Sequence, residues 1–415
     1  MAMEKTSSRS DSDKLDLQQH AAPLSKAALV CAAVGLIAAV VLGMLHGDSG
    51  RQFFFAYLTG YMYFLSIALG GLFFTIVQHL TKAAWSVNVR RIAEWLAASM
   101  PMMAGLSIPI VAAILLQHGS LYKWSLSDER LAMPHFRSVY LNPFFVVLRL
   151  AVYFTLWSVI GRWYWRQSLE QDKSSDFNIT RRLQYRAAPA MLVFAVTLTL
   201  CAFDLLMSLD PNWSSTIFGV YIFAGSTISI FATIILTVIL LQSRGYLRES
   251  VTHEHFHDLG KFLFAFTFFF GYIAFSQFML QWYGNIPEET EWYRHRGATT
   301  AIGAANGWSV VIIMILFGHV LIPFAGLLSR HVKRNPKFLG FWAAWLLFFH
   351  WWDLLWIVRP EMRADHGFDI GLVDLAVFVG IGGALLWTVV GKAGQASLRP
   401  LHDPRLADSL AFENV

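Results

Sequence analysis

Ten separate runs of mostly apolar residues dictate what this chain can fold into. They fall at 26–45, 53–80, 90–116, 143–164 and 187–209 in the first half, and at 217–241, 259–283, 303–328, 338–358 and 371–390 in the second. Each is long enough to cross the hydrocarbon core of a bilayer, which takes about 20 apolar residues. No water is available there, so every run must close its backbone hydrogen bonds internally, as a helix. The short alternating segments of a transmembrane barrel are absent from the sequence. Composition agrees: 56% of residues are hydrophobic and only 14% charged, against roughly 25% charged in soluble domains. The expected fold is an all-α integral membrane protein with ten transmembrane helices.

Residues 1–25 are polar and mixed in charge, and read as a disordered tail; they lack the apolar core and cleavage pattern of a signal peptide. Lys and Arg concentrate at the chain ends and in the 2–3, 4–5, 6–7 and 8–9 connections, all on one side. The positive-inside rule assigns that side, and both termini, to the cytoplasm. Those connections account for the net charge of +5, which gives no case for nucleic-acid binding. Cys31 and Cys201 both lie in apolar runs. They are too few and too separated for an iron–sulfur cluster or a structural zinc, and no C-x-x-C-H haem motif is present. The chain itself is expected to hold no metal or redox centre.

Two acids share one local frame. Asp204 in FDLLMSLDPNW and Asp353 in HWWDLLWIVRPE are each followed by Leu-Leu and, seven positions on, by Pro211 and Pro360. A larger repeat surrounds them: span 4 opens at Asn142 with NPFFVV and span 8 at Asn306 with NGWSVV, while spans 2 and 6 align more weakly. The expected organisation is a four-helix bundle over 53–209 and a second over 210–358. Peripheral segments at 26–52 and 359–390 carry spans 1 and 10, and 391–415 forms a cytoplasmic tail. An even number of spans separates the repeats, so their axis lies along the membrane normal.

An ionisable group inside a span is costly and usually faces a bundle interior, which makes each one a candidate for function. At about 1.5 Å of rise per residue, Asp204 lies roughly 8 Å inside the outer end of span 5. Arg149 reaches a similar depth in span 4, so the two can pair. His350 and Asp353 are three apart and share a face of span 9, and Gln277 and Gln281 of span 7 reach the same level. Arg149, Asp204, Gln277, His350 and Asp353 are therefore the expected periplasmic-side proton pathway. Arg149 and Asp204 equally read as a buried pair that fixes helix register, and His350 as an imidazole satisfied by a carbonyl. Glu94, His257, Lys261 and His319 are the corresponding cytoplasmic-side candidates. The plain readings there are local: Glu94 follows Arg90 and Arg91 by four and three, and Lys261 follows Asp258 by three. His253 and His257 lack a third ligand fixed by spacing. His319 has no local partner.

Two blocks, FDLLMSLDPNWSSTIFGVYIFAGS from Phe203 and HFHDLGKFLFAFTFFFGYIAFSQFMLQWYGNIPEETEWYRHR ending at Arg296, resemble the NrfD/PsrC-like family of polytopic membrane subunits. Within it they are most similar to those of alternative complex III, the bacterial quinol:cytochrome c oxidoreductase. The ten-span layout extends the likeness over most of the chain. The resemblance implies two four-helix bundles in a bacterial inner membrane, with haem c and iron–sulfur clusters on partner subunits. Those partners are an ActC-like NrfD paralogue, an iron–sulfur subunit, multihaem and monohaem cytochromes c and small membrane subunits; a terminal oxidase is a further one it allows. The chain itself would contribute proton half-channels and a quinone or quinol pocket, which needs only an apolar cleft and one or two polar groups. The half-channel residues above come from depth, not from a family motif. Two other functions stay open: a structural membrane anchor, and a stand-alone secondary transporter, for which a span broken in mid-bilayer would be expected. Pro101 and Pro109 in span 3 come nearest to such a break.

Overall fold

The structure, a computed structural model, describes residues 13–45, 50–116, 119–298, 307–363 and 367–413. Helix dominates, and no strand occurs among the described residues beyond one isolated bridge between Lys14 and Tyr246. Ten helices are long and apolar enough to cross a membrane: α1 (Gln18–Leu45), α2 (Arg51–Leu80), α3 (Val87–Leu115), α4 (Pro143–Gln171), α5 (Phe177–Leu209), α6 (Phe218–Ser243), α7 (His253–Gly284), α8 (Gly307–Leu327), α9 (Pro336–Glu361) and α10 (Leu372–Ala393). The protein is an all-α, multi-pass membrane protein.

Helices α2 to α5 pack in a closed ring, and α6 to α9 form a second. The rings meet where α2 lies against α6 and α9, while α1 and α10 pair with each other and dock on α2. Burial follows this order: 89% of the apolar window of α2 and 72% of that of α6 are buried, against 28% for α1. Small residues set the close contacts, because packing in lipid rests on backbone approach rather than on a hydrophobic drive. A Cβ on Gly70 of α2 would come within 2.4 Å of the Ser226 carbonyl oxygen on α6, and one on Gly35 of α1 within 2.4 Å of the Gly380 backbone on α10.

Two helices are interrupted. Pro101 and Pro109 divide α3 into Val87–Ala98, Met100–Leu106 and Ile108–Leu115. In α8, Pro323 cannot donate to the carbonyl of His319 and its ring crowds that carbonyl. The helix responds by widening into a π turn over Leu316–Leu321, and the Trp345 indole donates to the Gly318 carbonyl at 2.7 Å. The sequence reading singled out α3 and passed over α8.

The first and last described segments lie on one face of the molecule, here the terminal face, where Leu398 N–H donates to the Leu15 carbonyl at 2.9 Å. The expected disordered tail needs correction from residue 13 onward; residues 1–12 lie outside the described residues. Asp13 accepts from the backbone N–H groups of Glu249 and Ser250 at 2.9 and 2.8 Å, so its charge is anchored rather than solvated. Asp16 accepts from Gln18 N–H and starts α1 eight residues before the apolar run. Asp176 and Thr252 likewise cap α5 and α7 ahead of their apolar stretches. The helices overrun the membrane on this face because capping, not hydropathy, fixes their first turns.

Candidate functional site

The two repeat-related acids occupy different environments. In the first bundle, Arg149 grips Asp204 with both arms of its guanidinium: Nε donates to one carboxylate oxygen at 2.9 Å and Nη2 to the other at 2.8 Å. The Tyr153 hydroxyl donates to the same carboxylate at 3.1 Å. Arg149 Nη2 also donates to the Tyr140 carbonyl, and the guanidinium lies 4.0 Å from the Tyr140 ring centre. Asp204 is fully buried with both oxygens engaged. This is a fork-to-fork clasp between α4 and α5.

In the second bundle, Asp353 is as deeply buried but pairs with no cation among the described residues. It accepts a hydrogen bond from the hydroxyl of Tyr221 on α6. One turn away, His350 sits 2.8 Å through Nε2 from the Ser66 hydroxyl on α2, which ties the two bundles together. Its ring fits against α6 because residue 225 is glycine; a Cβ there would lie 2.7 Å from His350 Cε1.

His319 requires a correction. Instead of joining the terminal-face candidates, it projects from the π turn of α8 into the second bundle. Its ring centre is 4.3 Å from that of Phe270 and 6.1 Å from that of His350. Both nitrogens of His319 and Nδ1 of His350 are buried without a hydrogen-bond partner. Buried polar atoms are rarely left unpaired, which sets these three nitrogens apart from the rest of the second bundle's packed interior.

Beside this group, a cavity of about 530 Å³ opens between α7 and α8. Tyr221, Gln277, Tyr293 and Trp356 line it together with Phe270 and Leu316. At its rim, Phe275 and Ile313 are 61% and 56% exposed on the outer, membrane-facing surface. Gln277 accepts from the Ser215 hydroxyl at 3.0 Å and donates to the Tyr293 hydroxyl at 3.1 Å, while Gln281 accepts from the Trp213 indole. Gln277 thus belongs to the cavity wall, and the Tyr221 ring separates the cavity from Asp353.

The remaining candidates do not converge on one path. Glu94 accepts from Arg90 Nε at 3.0 Å and from the Ser168 hydroxyl at 2.6 Å, and Arg90 passes on to Asp403 of the carboxy-terminal segment at 2.8 Å. Burial acts to raise the Asp403 carboxyl, but the guanidinium groups of Arg90 and Arg405 outweigh it and hold the carboxyl well below the usual carboxylate range. Lys261 pairs with Asp258 on its own helix, and His257 lies one turn earlier with Nδ1 unpartnered. Among the described residues, no group of three or more His, Cys, Asp or Glu comes together as a metal would require.

Sequence reasoning missed Tyr221, Ser66 and Tyr293. Tyr221 stands within the FGVYIFAGS stretch, but a phenol in an aromatic-rich span carries no mark that separates it from packing. No protein-family model matches this chain, and no curated protein does so either.

Proposed function

We propose that the chain is a membrane subunit of a quinol-oxidising respiratory complex in a bacterial inner membrane, the ActF-type subunit of alternative complex III. In this reading both termini face the cytoplasm. The second bundle moves protons and offers a pocket to quinone or quinol, while haem c and iron–sulfur clusters on the partner subunits carry the electrons. Those partners are an ActC-type paralogue, the iron–sulfur subunit, the multihaem and monohaem cytochromes and small membrane subunits, with a terminal oxidase as a further associate.

The observation that carries the reading is Asp353: buried, without a counter-ion among the described residues, and bonded to a tyrosine whose ring lines a lipid-open cavity. Such a carboxyl can take up and release a proton without breaking an ion pair, whereas Asp204 cannot. Oxidation of a quinol releases protons together with electrons, and an apolar cleft edged by Tyr221, Gln277 and Tyr293 suits a ring with polar oxygens and an isoprenoid tail. His350 and His319 extend the polar interior away from the cavity, as a proton relay needs.

The first bundle favours a structural role. Both oxygens of Asp204 and both of Glu94 are occupied by partners, so these residues serve as clasps between helices. A stand-alone transporter remains the competing function. Purification of the tagged chain from its native membrane in mild detergent separates the two. A c-type haem spectrum with iron–sulfur and NrfD-like companions is the expected result; a colourless chain without companions would favour the transporter.

A further inference from the structure

We infer that the groove between α3 and α4 is a binding site for an anionic phospholipid, whose phosphate is held by Arg162 and Lys392. The groove encloses about 600 Å³ and is lined by Pro101, Ala104, Ser107, Val147, Ser158 and Arg162, among others. Its origin is the broken course of α3. At Gly161 the two helices touch so closely that a Cβ would lie 2.2 Å from the Ala97 carbonyl oxygen. Past that point the interruptions at Pro101 and Pro109 carry α3 off a straight line, and a trough opens along α4. From residue 147 to residue 162 it runs about 22 Å at 1.5 Å per residue. That exceeds the depth of one leaflet, about half of a 30 Å hydrocarbon core.

Charge identifies the occupant. Arg162 is exposed at the terminal-face end of the groove. Lys392, at the end of α10, is half-buried and within electrostatic range of it. Neither side chain makes an ion pair or a hydrogen bond among the described residues. Of the neighbouring cations, Arg91 holds Asp172 at 2.7 Å and the Arg186 guanidinium lies 5.3 Å from the Trp163 ring centre, while Arg166, one turn on from Arg162, is exposed. Arg162 lines the end of an apolar trough, and α10, which carries Lys392 within electrostatic range, packs against the Met100–Leu106 part of α3; two like charges so placed fit a phosphate, with an acyl chain in the trough below. Basic pockets between membrane helices recognise acidic headgroups in this way. This lipid site is independent of the respiratory reading.

The test uses the full chain in mild detergent, together with any subunits that purify with it, examined by native mass spectrometry with added phosphatidylglycerol or zwitterionic phosphatidylethanolamine. One phosphatidylglycerol should be retained selectively, and inorganic phosphate should not displace it. Each basic residue contributes about fivefold toward an anionic surface, so Arg162→Gln with Lys392→Gln should weaken retention roughly 25-fold. Ser158→Trp fills the trough and leaves both cations in place; it too should abolish retention. Equal retention of the two lipids, displacement by phosphate, or undiminished retention in either variant would overturn the proposal. So would a companion protein crosslinking to Ser158→Cys in place of lipid.

Discussion

Replacing Asp204 and Asp353 in turn by the isosteric asparagine should separate a structural acid from a functional one. In Asp204→Asn the negative charge and one of the two acceptor oxygens are gone, and an amide NH2 faces the guanidinium, which keeps one amide oxygen besides the Tyr140 carbonyl and ring. Breaking a buried ion pair costs about 3–5 kcal/mol. Arg149 is 22% exposed at its side chain, so water offsets part of this and the low end, about 3 kcal/mol, applies. Asp353→Asn keeps an oxygen for Tyr221 and strands no cation, so its cost should stay near 1 kcal/mol, that of one altered hydrogen bond. Equilibrium unfolding in mixed detergent micelles measures both. Arg149→Leu combined with Asp204→Leu should recover most of the loss, because no charge is left unpaired. Equal destabilisation by the two asparagine variants, or no recovery in the double variant, would refute the reasoning.

The carboxy-terminal segment should show an acid-sensitive attachment. The Asp403 carboxyl is depressed in the folded state, so its contribution is complete above the unfolded carboxylate value of about 3.9. It is lost as pH falls below that and through the folded value. Protease accessibility of the segment, measured against pH, should rise on the acid side in the wild type; Asp403→Asn should be accessible at neutral pH. Gly225→Ala places a methyl group 2.7 Å from His350 and should cost about 1–3 kcal/mol as overpacking, with the same functional loss as His350→Ala. Tyr221→Phe removes the donor to Asp353 and should lower quinol-driven turnover while leaving the haem spectrum of the complex unchanged.

Fold class was legible because backbone in lipid has few solutions: ten apolar runs became ten helices. The DLL frame and the NPFFVV and NGWSVV openings pointed to paired four-helix units, and the helices pack as two rings. The Arg149–Asp204 clasp followed from depth on adjacent helices. Depth also misled. His319 counts as a terminal-face residue along the chain, yet the π turn ahead of Pro323 aims it at His350. The identical frames around Asp204 and Asp353 hid their difference, since the counter-charge that separates them stands on another helix. Tail residues such as Asp13 and Asp403 read as solvated charge; their partners, the Ser250 backbone and Arg90, are remote in sequence.

The most direct test of the central claim is proton-coupled quinol oxidation by the purified complex carrying Asp353→Asn in proteoliposomes. Cytochrome c reduction and the pH change would be followed together. If Asp353 and Tyr221 form the proton site of the second bundle, the variant complex assembles with its haem intact, yet turnover or proton release falls about 100-fold or more, the lower end for a lost acid–base group. Assembly with unchanged rate and unchanged proton yield would contradict the account and leave this chain as a structural anchor.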